Sequence, residues 1–97
     1  MKSVHLDYAE LKGAKLREAS LLDARFEDAF LDGADLYKAD LRGARLYRTS
    51  MRETVLTETD LRGADLREAI GLTQQQLDSA ITDSSTLTTG LKTRAKP

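Results

Sequence analysis

From Leu6 to Leu66 every fifth residue is large and apolar, all leucine except Phe26 and Met51, and none of the thirteen is polar. Two places before each stands a small residue: Val4, then alanine from Ala9 to Ala44, then Thr49, Thr54 and Thr59, then Ala64, with Ala69 continuing the series. The other three positions of each five carry nearly all the charge. A helix cannot use this spacing, because steps of five at 100° send the leucines around every side. A flat strand fails as well, since residues an odd number apart point to opposite faces. The backbone must therefore turn once in every five residues. The large residue and the small one two places earlier then face inward, and the neighbours of the large residue face out.

Repeats such as "ADLRG", "ADLRE", "ADLYK" and "ARLYR" make the stretch from Val4 to Ala69 resemble the pentapeptide repeat proteins, whose motif is Ala-(Asp/Asn)-Leu-X-X. The resemblance implies an all-β, right-handed, four-sided parallel β-solenoid, with one pentapeptide per side, twenty residues per coil and about three coils. Residues twenty apart would then stack, giving inward columns such as Leu16/Leu36/Leu56 and outward columns such as Ser20/Asp40/Asp60. Gly13, Gly33, Gly43 and Gly63, each two residues after a leucine, fall at corners, where the lack of a Cβ admits bends that other residues resist. The hydroxyls of Thr49, Thr54 and Thr59 have two readings. Each bonds to neighbouring backbone while its methyl packs, or together they form a polar ring that marks an irregular coil or a bound water.

After Ala69 the register breaks, since the next large-residue position is Gly71. Thr73 and Gln76 form a Thr-x-x-Gln capping box, and Leu72 and Leu77 suit a hydrophobic staple. A short helix is expected over 74–81, with Leu77, Ala80 and Ile81 on one face, closing the lower end of the core. The chain thus divides into a lead-in (1–3), the repeat solenoid (4–70), a helical cap (71–83) and a flexible polar tail (84–97), with Leu87 or Leu91 available to pin the tail. At the upper end nothing comparable covers Leu6, Leu11, Leu16 and Leu21. Open sheet edges invite pairing, so a homodimer or partner contact through the N-terminal coil is an expectation.

Composition narrows the chemistry. The 97 residues hold 15 basic and 16 acidic side chains, a net charge of −1 that gives no reason to expect nucleic acid or an acidic membrane as partner. Without cysteine there are no disulfides or thiolate metal sites. No segment approaches a membrane span or a signal peptide, which makes the cytoplasm the default location. His5 stands alone on the first coil, and the carboxylates would sit in solvent, where nothing tunes them for catalysis. Neither a catalytic residue nor a cofactor or metal is expected.

The reading is a non-catalytic module for protein–protein interaction or scaffolding, with an unidentified protein partner. Phe30, standing where the motif prefers Asp or Asn, is the first candidate contact, with Leu22, Tyr37 and Tyr47 also outside. The alternative implied by the resemblance is a DNA-mimicking binder of a type II topoisomerase, gyrase. Against it, 11 basic and 14 acidic residues alternate between Val4 and Glu68 instead of forming a phosphate-like stripe.

Overall fold

The structure, a computed structural model, describes residues 4–90. Its backbone returns over itself every twenty residues. Parallel bridges join His5 to Arg25, Arg25 to Arg45 and Arg45 to Asp65, and the same step links Glu10, Phe30, Ser50 and Ile70. Lys15, Asp35 and Val55 form a third column, and Ser20, Asp40 and Asp60 a fourth. Four pentapeptides therefore complete one circuit, and we number the sides one to four from these columns. Among the described residues every pairing is a single-residue bridge, because two residues of each five are spent on the turn.

The turn explains the period. Leu6 C=O accepts from Ala9 N–H at 3.0 Å, and Tyr8, the third residue of this turn, has φ of 65°. A positive φ at that place together with the bond back to the first residue is the signature of a type II turn. The same pattern recurs at every fifth residue from 8 to 68, occupied by glycine at 13, 33, 43 and 63 and by other residues elsewhere.

Four of the five N–H groups in a repeat bond to backbone. For the repeat around Phe26 and Leu31, Phe26 donates to Arg45, Asp28 to Tyr47, Ala29 back to Phe26 within the turn, and Phe30 up to Ala9. Where aspartate precedes the large residue, the fifth N–H, just after that residue, is served by its carboxylate. Asp35 Oδ1 accepts from Tyr37 N, and Asp40, Asp60 and Asp65 do the same for Arg42, Arg62 and Arg67, at 3.1–3.2 Å. This accounts for aspartate before leucine in the motif: it closes the backbone accounting of its own side.

Leucines and alanines from 21 to 72 fill a dry centre; Phe26, Leu31, Leu36, Leu41, Leu46 and Leu66 are fully buried. The three threonines are buried with them. Their hydroxyls donate to the carbonyls of Phe26, Leu31 and Leu36 in the coil above at 2.6–2.7 Å, the first of the two readings above.

Helix α1 (Gln74–Ser79) replaces the pentapeptide due beneath Val55. The capping box is present: Thr73 Oγ1 accepts from Gln76 N, and Gln76 Oε1 accepts from Thr73 N at 2.7 Å. The helix stops two residues short of the expected 81. Ile81 lies 44% exposed and bridges Asp60 instead, because backbone pairing with the coil above competes successfully for it. The chain then keeps climbing down the solenoid. Leu87 bridges Asp65, and Thr86 Oγ1 donates to Leu61 C=O at 2.9 Å, as the buried threonines do one coil higher. Residues 84–90, expected as the start of a polar tail, thus pair with the coil above, with one residue inserted before Ile81 and a second before Leu87. The lead-in, residues 1–3, and the tail from Leu91 with Lys92, Arg94 and Lys96 lie outside the described residues.

Candidate functional site

The four residues picked from the sequence do not share a surface. Phe30 is on side two, Leu22 on side four, Tyr37 on side three and Tyr47 on side one. Both tyrosines are half-buried under cations: the Arg17 guanidinium lies 4.7 Å and the Lys38 ammonium 5.5 Å from the Tyr37 ring, and Arg48 and Arg67 flank Tyr47 at 5.2 and 6.0 Å. Leu22 is also half-buried. At Tyr37 and Tyr47 cationic side chains already lie over part of what a partner would touch.

Phe30 differs in its company. A shallow depression at the corner between sides one and two is lined by Tyr8, Asp28, Phe30, Arg48, Ser50 and Ile70. Tyr8 is 72% and Phe30 37% exposed, and Lys12 Nζ sits 5.3 Å from the Phe30 ring centre. Below Tyr8 on the same corner, Arg48 grips Asp28 with both nitrogens, at 3.0 and 3.3 Å. That hydrogen-bonded pair and its charge raise the Arg48 pKa above its usual value. Ser50 is buried beneath Phe30, donating to Asp32 at 2.8 Å. Sequence reasoning missed Tyr8 and Ile70. The signal was there, since Ile70 shares the Glu10/Phe30/Ser50 column, and Tyr8 stands at the corner just before that column begins.

Elsewhere the outside is built of matched charges. Asp40–Arg42, Asp60–Arg62 and Asp65–Arg67 are bidentate pairs with closest contacts of 2.7–2.8 Å. The arginine hydrogen bonds are the leading cause that holds each of these three aspartates below its ordinary pKa. On sides four and one each of these aspartates thus has an arginine against it. His5 is exposed on the first coil, and among the described residues no group of three or more His, Cys, Asp or Glu is placed to hold a metal ion. No helix among them is long and apolar enough to cross a membrane.

Comparison with known proteins bears on what this rod is. Two solved structures resemble it in part. A pentapeptide repeat protein (Rfr23) from the cyanobacterium Cyanothece 51142 is 26% identical over 90% of this chain, with a TM-score of 0.48. HetL from the cyanobacterium Nostoc sp. strain PCC 7120, a pentapeptide repeat protein involved in heterocyst differentiation regulation, is 22% identical over 97% of it, also at 0.48. The chain spans 62% and 46% of the lengths of these two proteins. Curated protein sequences yield no match. The profile described as Pentapeptide repeats, however, fits residues 2–33 and 34–70 in eight copies. With a turn every fifth residue, coils stacked at twenty and this match over most of its length, the chain belongs to the pentapeptide repeat family.

Proposed function

We infer that the protein is a non-catalytic interaction module that grips a protein partner at the corner formed by Tyr8, Phe30 and Ile70. One observation supports this reading above others: exposed aromatic surface gathers there on residues whose own N–H groups, at Tyr8, Phe30 and Ile70, bond to the neighbouring coil, while Tyr37 and Tyr47 lie under arginines and Phe26 is in the core. Rigid aromatic anchors beside an arginine are the usual core of a protein-binding hot spot, since they bury area at little entropic cost. The right-handed winding and the count of about three coils go with this reading as traits that the family resemblance implies. Scaffolding through such a module would need no cleft and no tuned carboxylate.

The gyrase-binding alternative calls for a strongly negative side. The ion pairing of Asp40, Asp60 and Asp65 with arginines on side four and side one speaks against it. The test compares capture of partners on immobilised wild type, on Tyr8→Ala/Phe30→Ala and on Tyr37→Ala as a control of similar chemistry. A partner held by wild type and Tyr37→Ala but lost by the double variant is the expected result. Equal recovery on all three would remove the corner from consideration, and inhibition of gyrase supercoiling would revive the alternative.

A further inference from the structure

Among the described residues no backbone hydrogen bond reaches sides one to three of the first coil from above, and the repeat geometry says which groups point there. In the coils below, the residue before each leucine directs both N–H and C=O upward: Arg25 N–H donates to Val4, Phe30 to Ala9 and Asp35 to Ala14, while Arg25 C=O accepts from Leu6. The residue after each leucine directs its C=O upward too, as Glu27 does toward Tyr8 N–H. On the first coil the corresponding groups are N–H and C=O of His5, Glu10 and Lys15, and C=O of Asp7, Lys12 and Arg17. Leu6, Leu11 and Leu16 are only half-buried there, whereas their counterparts Phe26, Leu31 and Leu36 one coil down are fully buried.

We propose that this edge docks onto the same edge of a second copy, head to head about a two-fold axis that passes by Leu11. In that register the coils run antiparallel, and the upward donors of sides one to three each meet an acceptor: His5, Glu10 and Lys15 N–H face C=O of Arg17, Lys12 and Asp7 of the second copy, and the reverse. Leu6 meets Leu16 and Leu11 meets Leu11 across the axis, which extends the dry core through the contact.

Backbone alone does not choose the register. Four two-fold arrangements, a quarter turn of the coil apart, bring a donor-bearing residue opposite an acceptor-bearing one. Side chains choose. With the axis at Leu11, Glu10 lies opposite Lys12 and Asp7 opposite Lys15, each twice by symmetry, and no like charges meet. The other three arrangements set Asp7 against Glu10, Lys12 against Lys15, or Lys15 against Arg17, and cross-strand like charges oppose pairing. A coil also descends by about one strand spacing of ~4.8 Å per circuit. Two ramps related by this axis stay parallel along sides one to three, and their steps fall together on side four.

The contact is the size of one coil end, at the small end of specific interfaces, so dimerisation is expected at about 10–100 µM. The experiment is sedimentation equilibrium of the full chain over a concentration series, with circular dichroism and melting to show that each variant folds. Wild type should pass from monomer to dimer and shift toward monomer at about 1 M salt. Glu10→Lys, which sets lysine against lysine twice, should weaken the dimer by about tenfold or more. Glu10→Lys/Lys12→Glu should restore it, because only the Leu11-centred register places positions 10 and 12 opposite one another. A chain that stays monomeric up to about 500 µM, about five times the upper end of the expected dissociation range, overturns the proposal. So does a dimer indifferent to Glu10→Lys, or one that the double variant fails to restore.

Discussion

At Glu53 and Glu58 the backbone holds φ of 59° and 56°, a left-handed conformation that costs an L-residue about 1–2 kcal/mol. The protein accepts that cost at nine non-glycine turn positions among the described residues, because the turn bond and the coil-to-coil bonds on either side fix the backbone there. Glycine at such a place is therefore optional unless a neighbour also fills the space of a Cβ. Gly33 has φ of +69° with nothing within 4 Å of an added Cβ, whereas at Gly71, with φ of +78°, that atom would run into the Arg52 stem. Gly33→Ala should lose about 0.5–1 kcal/mol, since the lower entropy of the unfolded chain offsets part of the strain. Gly71→Ala should lose about 2–4 kcal/mol, the strain plus the displacement of Arg52. Urea unfolding of the two variants reads the difference directly, and equal losses would contradict the packing argument.

Helix α1 is only six residues long and owes its place to its contacts. Leu72 and Leu77 are buried beneath the last full circuit. Gln76 links the cap to the solenoid: its Oε1 closes the capping box, while its Nε2 donates to Met51 C=O at 3.0 Å and Thr54 C=O at 2.9 Å. Those two carbonyls would otherwise face a coil that the helix has displaced. In an isolated helix glutamate serves a capping box as well as glutamine does. Here Gln76→Glu should destabilise by about 1–3 kcal/mol, because it keeps the acceptor and turns a carboxylate toward two carbonyls without a proton to donate. That environment raises the folded-state pKa of the new carboxyl above its unfolded value. The deficit against wild type is then full at neutral pH and shrinks as pH falls through the raised value, when a donor returns. Thermal melts of both proteins at matched pH values check it, and a deficit that does not change with pH would count against it.

Over the whole molecule, stability is shared between coils and guarded on the outside by ion pairs. Each circuit is held chiefly by the circuits above and below it, as in other stacked-repeat proteins. Hydrogen bonds from Arg42, Arg62 and Arg67 depress the pKa values of Asp40, Asp60 and Asp65. A depressed carboxyl contributes stability that is complete above its unfolded value near 3.9 and is lost as pH falls through the folded value. The melting temperature should accordingly be flat near neutrality and fall below about pH 4. The guanidinium groups are about half exposed, so solvent screens each pair, and the share of the acid-induced drop due to these aspartates should be roughly 2–5 °C. Asp40→Asn/Asp60→Asn/Asp65→Asn keeps an acceptor for each backbone N–H and should remove that share. An acid profile identical to wild type would assign the drop to other carboxyls.

The spacing of leucine and alanine determined the turn in every five residues and which side chains face inward, because neither helix nor flat strand can bury a period of five. Thr73 and Gln76 likewise announced the cap, since a capping box is local chemistry. What lay beyond local chemistry needed the coordinates. The sequence carried the expected helix through Ile81, and backbone groups of the coil above drew Ile81 into pairing with Asp60 instead. The same holds for Thr86 and Leu87, which lie in a polar stretch of the sequence yet bond to the coil above. Phe30 was visible as an apolar residue in a carboxylate position, but its neighbours Tyr8 and Ile70 are 22 and 40 residues away along the chain. Only the stacking of coils brings them to one corner, and only the folded chain lays arginines over Tyr37 and Tyr47 on other sides.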